Sequence, residues 1–194
     1  MRQIIKILIE MSSSIMEAEL EVLKKYLRDE SLIKHCIATA GVMREVAKKL
    51  RENEELWFKI GLLHDIDYEL CNGDMQKHGI IAEEILKKEG YGDIAEIVKR
   101  HNHHLFGNYE SAVEIALQAS DSISGLVIAC ALVKGGKIGE VTVETVKKKF
   151  KEKSFAAGCD RGRIRMIEKL MSQDEFFEVA IRGVASVKDK LGLI

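Results

Sequence analysis

The chain has 194 residues, 46% of them apolar, with 30 basic and 31 acidic side chains and a net charge of −1. That length suits one domain carrying at most an appendage. The near-zero balance argues against an electrostatic nucleic-acid binder, because neutralising phosphates requires a basic excess. The uncharged apolar run Ser122 to Val133 falls short of the roughly 20 residues a membrane span needs. Lys6 and Glu10 interrupt the apolar start, so a secretory signal is not expected.

Four cysteines, Cys36, Cys71, Cys130 and Cys159, are widely spaced. They form neither a zinc knuckle nor a disulfide framework, which points to a reduced, cytoplasmic setting. Proline is absent. Helix interiors exclude proline, so a nearly all-helical chain accounts for the omission.

In chain order, Ile4 to Ile9 is short enough for helix or strand. Leu32, Cys36, Ala40, Met43, Ala47 and Leu50 recur every three or four residues, predicting a helix from Glu30 to Arg51 with Ser31 near its cap. Asn53 opens a second helix, whose apolar positions Leu56, Ile60 and Leu63 run into His64-Asp65. Helices are predicted from Gln76 to Glu89, Asp93 to His103 and Glu110 to Val133. Gly90 and Gly92 punctuate one junction and Gly135-Gly136 closes the last. Val141-Thr142-Val143 suits a short strand, although the charged run from Lys147 to Lys153 favours a helix. Arg161 to Met171 and Asp174 to Leu191 read as two final amphipathic helices. The expected class is all-α with about eight to ten helices. Residues 1–30 would be an N-terminal segment and first helix, 31–133 the core, and 134–194 a helical extension packed on it.

All six histidines lie between His35 and His104. His35 sits between Ile33 and Ile37 in an apolar helix, and His64-Asp65 closes the run Ile60-Gly61-Leu62-Leu63. Asp121 falls in the least charged helix. An ionised carboxylate there is costly unless a cation pairs with it. No Lys or Arg occurs from Ser111 to Ala131, so no local ion pair can serve. A divalent metal can. Imidazole and carboxylate donors suit Mn, Fe, Co, Ni or Zn rather than a thiolate-selected ion. Ligands carried on separate helices can converge in a bundle core.

The ordered set His35, His64-Asp65 and Asp121 resembles the HD-domain superfamily of metal-dependent phosphohydrolases, an all-helical fold. His78 in Lys77-His78-Gly79 and His101 in Arg100-His101-Asn102 resemble the further histidines that give some branches a second metal. The resemblance covers about Ser31 to Val133. The tail beyond Gly139, including Phe150 to Gly158, is similar to that of small stand-alone HD proteins.

The resemblance implies that His35, His64, Asp65 and Asp121 hold one metal. Asp65 would bridge to a second, held also by His78 and His101, with Mg added to the candidate ions. It implies a metal-activated hydroxide attacking the phosphorus of a small phosphorylated substrate, a nucleotide or dinucleotide, with His64 and Asp65 central to catalysis. Where many members follow HD with Ile-Gly-Lys, this chain has Ile66-Asp67-Tyr68-Glu69 and so lacks a lysine that could assist the leaving group. Asn102 stands where some members have a second histidine; His104 would share a helical face with His101 if the helix persists. Lys153, Arg161 and His104 are candidate substrate contacts. Alternatives are an HD-fold diiron oxygenase with the same ligand set, and a signalling module that binds a nucleotide without turnover. Gly135-Gly136-Lys137 lacks the spacing of a phosphate loop, and Lys147-Lys148-Lys149 reads as a solvated helix face.

Overall fold

Side-chain caps set where most helices begin. The computed structural model describes residues 17–194, so the segment Ile4 to Ile9 lies outside the described residues. Residues 17–26 form α1, which buries Leu20 and Leu23. Helix α2 spans Glu30–Leu50, and its cap is Asp29 rather than Ser31. Asp29 Oδ1 accepts from the backbone N–H groups of Ser31 and Leu32 at 2.7 and 3.1 Å, which places Ser31 inside the first turn. Helix α3, Glu54–Leu63, starts at Asn53 as the sequence suggests. A single turn, α4 (Tyr68–Cys71), follows.

Helix α5 spans Ile80–Lys88 and α6 spans Gly92–Arg100, both shorter than expected. The start of α5 is delayed because Gly79 takes φ +83°, a left-handed conformation natural to glycine, and a Cβ there would strike the Lys99 carbonyl. The buried carboxylate of Asp67 accepts from the N–H groups of Gly79 and Ala82 at 2.7 and 3.0 Å, replacing a local cap. Helix α6 ends early because Asn102 folds the chain into a turn, its Oδ1 accepting from His104 N at 2.9 Å. His104 therefore does not continue the helical face of His101.

Helix α7, Ala112–Leu132, opens with a reciprocal Ser111–Glu114 capping box. With only Glu114 and Asp121 charged, α7 is long and apolar enough to cross a membrane, which counting uninterrupted runs overlooks. Its most apolar stretch is 72% buried inside the fold, as in the core helix of a bundle. A 3₁₀ turn, Ile138–Glu140, leads to α8 (Val143–Lys151). Thr142 caps that helix by accepting from Thr145 N, so no strand forms at Val141 to Val143. The helix expected from Arg161 splits into α9 (Arg161–Arg165) and a 3₁₀ turn, Met166–Lys169. Gln173–Ser186 is α10, and a break at Val187 separates it from α11, Lys188–Leu191.

The fold is a multi-helix bundle with no strand among the described residues. Helix α2 runs through its centre and packs on α3, α7 and α10. Gly41 on α2 faces Gly183 on α10 so closely that a Cβ on Gly183 would come within 2.5 Å of Val42 Cα. Helices α5 and α6 pair, and α6 leans on α3 and α7. The N-terminal part of α2, the C-terminal ends of α3 and α6 and the middle of α7 consequently meet beside the α4–α5 turn. A buried hydroxyl pair, Thr39 with Ser124 at 3.2 Å, joins α2 to α7.

Candidate metal centre

The structure brings His35 (α2), His64 and Asp65 (the end of α3), His78 (before α5), His101 (after α6) and Asp121 (α7) into one cluster. Asp65 occupies its middle. Its Oδ2 lies 3.7 Å from His35 Nε2 and 3.3 Å from His64 Nε2. Its Oδ1 lies 3.5 Å from both His78 Nε2 and His101 Nε2. Asp121 Oδ1 lies 2.9 Å from His35 Nε2 and 3.8 Å from His64 Nε2. One carboxylate thus faces a different pair of imidazoles with each of its oxygens.

The ring orientations are held from behind. His64 Nδ1–H donates to the Gly61 carbonyl at 2.8 Å, and His78 Nδ1–H donates to Asp67 Oδ1 at 2.9 Å. Each bond turns Nε2 towards Asp65. His64 Nε2 is buried and has no hydrogen-bond partner among the described residues. A buried nitrogen left without a partner and facing two carboxylates is the setting a cation completes. His64, His35 and Asp121 present donor atoms within 4.8 Å of one another, as do His64, Asp65 and His101. Their N and O donors fit a divalent ion, and the cluster could hold one.

Electrostatics follow the same geometry. Burial opposes charge on His64, but Asp65 and Asp121 outweigh it and pull its pKa well above the ordinary imidazole range. Burial likewise opposes charge on the two acids. The facing histidines prevail and hold both carboxyls well below the usual carboxylate range. Burial pushes His101 down to about 4, so it is neutral near pH 7.

Three residues outside the expected set shape the site. Asp67, read in the sequence only as part of a missing lysine, orients His78 and starts α5. Asn102 Nδ2 donates to the Met75 and His78 carbonyls at 2.6 and 2.9 Å, stapling the His78 turn to the His101 turn. Arg163 on α9 brings Nη2 to 2.6 Å from Asp121 Oδ2. The ion pair that the local sequence excluded for Asp121 is therefore made by a residue from the C-terminal extension. Only the tertiary fold reveals it.

The three expected substrate contacts part company. His104 lines the cleft of about 320 Å³ over the cluster, together with His103, Tyr68, Met75 and Arg163. Lys153 lies on a separate cleft. Arg161 reaches that second cleft too, but its guanidinium is engaged by six backbone carbonyls, those of Lys149, Phe150, Glu152, Phe155, Ala156 and Cys159. Its role is to hold the 149–159 segment together. All four cysteines are free thiols.

The family model for the HD domain matches residues 32–130, just over half of the chain. The chain belongs to the HD domain family. That superfamily is one of metal-dependent phosphohydrolases, and the six-residue cluster sits within the matched HD region. The chain is 31% identical over 96 residues to a protein named ribonuclease Y from Fusobacterium nucleatum subsp. nucleatum, covering 49% of this chain and 18% of that one. A ribonuclease Y from Lawsonia intracellularis is 32% identical over 98 residues, covering 50% and 18%. The chain thus spans less than a fifth of either ribonuclease. An uncharacterized protein of Methanocaldococcus jannaschii is 28% identical over 148 residues, covering 71% of this chain and 85% of that protein. No solved structure matches.

Proposed function

We propose that this HD protein hydrolyses a phosphoester of a small nucleotide or dinucleotide substrate, using divalent metal held by the buried cluster. In this reading His35, His64, Asp65 and Asp121 hold one ion, and Asp65, His78 and His101 hold a second. The observation that carries it is Asp65, whose two oxygens face two separate imidazole pairs. Two relatives are named ribonucleases, and cleavage of RNA is cleavage of a phosphodiester. A cleft of about 320 Å³ is at the small end of ligand sites, which favours a compact substrate.

A bound divalent ion would supply a Lewis acid and lower the pKa of a water in its shell toward about 7. The residues of the chain do the rest. His64 and His78 each commit Nδ1–H to a fixed acceptor and present Nε2 as a donor. His101 is already neutral near pH 7 and needs no deprotonation to serve as a ligand. Asn102 holds the two turns that carry His78 and His101 at one spacing. His103 and His104, tilted on each other with ring centroids 4.2 Å apart, form part of the cleft wall that a substrate meets.

The test is metal analysis of the protein as purified. It is followed by assay of nucleotides, dinucleotides and generic phosphoesters with each ion among Mg, Mn, Fe, Co, Ni and Zn. Release of phosphate or a nucleotide product with at least one ion, lost in Asp121→Ala, is the expected result. Absence of turnover across the whole panel in fully loaded protein would overturn the reading. Oxygen consumption with iron would redirect it to oxidation.

A further inference from the structure

Arg163 is the one cation the C-terminal extension places on the floor of this cleft, and its contacts are incomplete. Two of its nitrogens, Nε and Nη2, are buried and lack a hydrogen-bond partner among the described residues. Nη2 approaches Asp121 Oδ2 to 2.6 Å, a charge contact out of hydrogen-bond alignment. Nε and Nη2 form one edge of the guanidinium plane. A guanidinium can donate two parallel hydrogen bonds to two oxygens of one phosphoryl group. Nη2 has only that charge contact and Nε has no acceptor, so the hydrogen-bonding capacity of the guanidinium is unsatisfied unless a ligand supplies acceptors.

The backbone under Arg163 is built for position. Asp160 Oδ1 caps α9 by accepting from Gly162 N and Arg163 N at 2.7 and 3.2 Å. Arg161 ties the preceding segment to itself through the six carbonyls named above. Ile164 is fully buried. One turn beyond Asp121, Gly125 leaves room for this segment: a Cβ there would sit 3.0 Å from Cys159 Sγ. The guanidinium is thereby delivered to the cluster from outside the matched HD region.

We infer that Arg163, which lines the cleft over the cluster, is the phosphate anchor of this protein, its guanidinium donating to non-bridging phosphoryl oxygens of the substrate. Metal bound at the cluster would take up the charge of Asp121 and leave the guanidinium to the substrate. The inference rests on the reading of the cleft as a phosphoester site and assigns it an oxyanion recognition element.

The experiment measures inorganic phosphate binding to manganese-loaded protein by calorimetry, with manganese content determined on the same samples. Wild type, Arg163→Lys and Arg163→Ala are compared, and circular dichroism confirms that each is folded. Phosphate affinity should fall about tenfold to a hundredfold in Arg163→Ala. Arg163→Lys, which keeps the charge but loses the fork, should recover only part of it, and manganese content should be unchanged in both. Equal phosphate affinity in all three proteins overturns the inference, as does loss of manganese in the variants, which would make Arg163 a support for the ligand shell. Arg163-dependent phosphate binding by a protein that cleaves no phosphoester supports the anchor while rejecting the hydrolase.

Discussion

Asp67 Oδ1 lies 2.9 Å from His78 Nδ1, and the other oxygen of the same carboxylate accepts the N–H groups of Gly79 and Ala82. One fully buried acid therefore sets both the direction of a candidate ligand and the first turn of the helix behind it. Asp67→Asn keeps the size but can offer only one acceptor oxygen. It should lower affinity at the His78 side by about 10- to 100-fold, as removal of groups behind a ligand does. It should also cost about 1–3 kcal/mol from the donors left unpaired. Metal titration together with urea denaturation reads both effects. Unchanged stoichiometry and affinity would remove His78 from the ligand set.

In metal-free protein the stability optimum should lie near pH 6.5, the ordinary histidine value. His101 is held down to about 4, so between 4 and 6.5 the unfolded chain binds the extra proton and stability rises with pH. That depression is worth at most about 3 kcal/mol. Burial works against charge on His64 and His78 as well, but the neighbouring acids raise both. Their contribution is complete below 6.5 and is lost as pH climbs through their elevated folded values. Denaturation of chelated protein across pH 4 to 9 checks the curve. A monotonic rise through pH 8 would show that His64 is not charged in the folded state.

Metal uptake should release protons. His64 and His78 carry protons in the metal-free cluster and must lose them to coordinate, so apparent affinity increases with pH. Calorimetry in two buffers of different ionisation heat should find on the order of one to two protons released per chain near pH 6.5. His64→Ala should reduce that release along with binding.

Arg161→Ala removes the donor shared by six carbonyls and should destabilise the fold by about 1–3 kcal/mol. Proteolysis should then fall within residues 149–160. Lys153→Ala, on an exposed lysine, should leave stability within about 0.5 kcal/mol. Equal resistance of both variants to protease would mean that the segment is held by packing instead.

The Cys36 thiol is fully buried beside His64, and burial raises its pKa. Cys36→Ser should therefore preserve metal content and phosphoesterase activity within a few-fold. A thiol reagent should modify the partly exposed Cys159 first. Loss of activity in folded, metal-loaded Cys36→Ser would point to a thiol nucleophile.

The helices were legible in the sequence because their causes are local. A three-to-four apolar spacing from Leu32 to Leu50 and an Asn53 cap each act within a few residues. The candidate ligands were legible for a related reason: His35, His64-Asp65 and Asp121 interrupt apolar helices, where ionisable groups are expensive without a partner. Where helices stop was harder to see. Gly79 meets Lys99, Asp67 caps α5 and Asn102 breaks the chain after α6 through contacts with other segments. The partner of Asp121 lay furthest from view. Looking for a cation along the chain from Ser111 to Ala131 finds none, because Arg163 reaches Asp121 only once α9 has packed on α7. Periodicity and capping are written in neighbouring residues; which charge faces which is decided by distances that exist only after the helices pack.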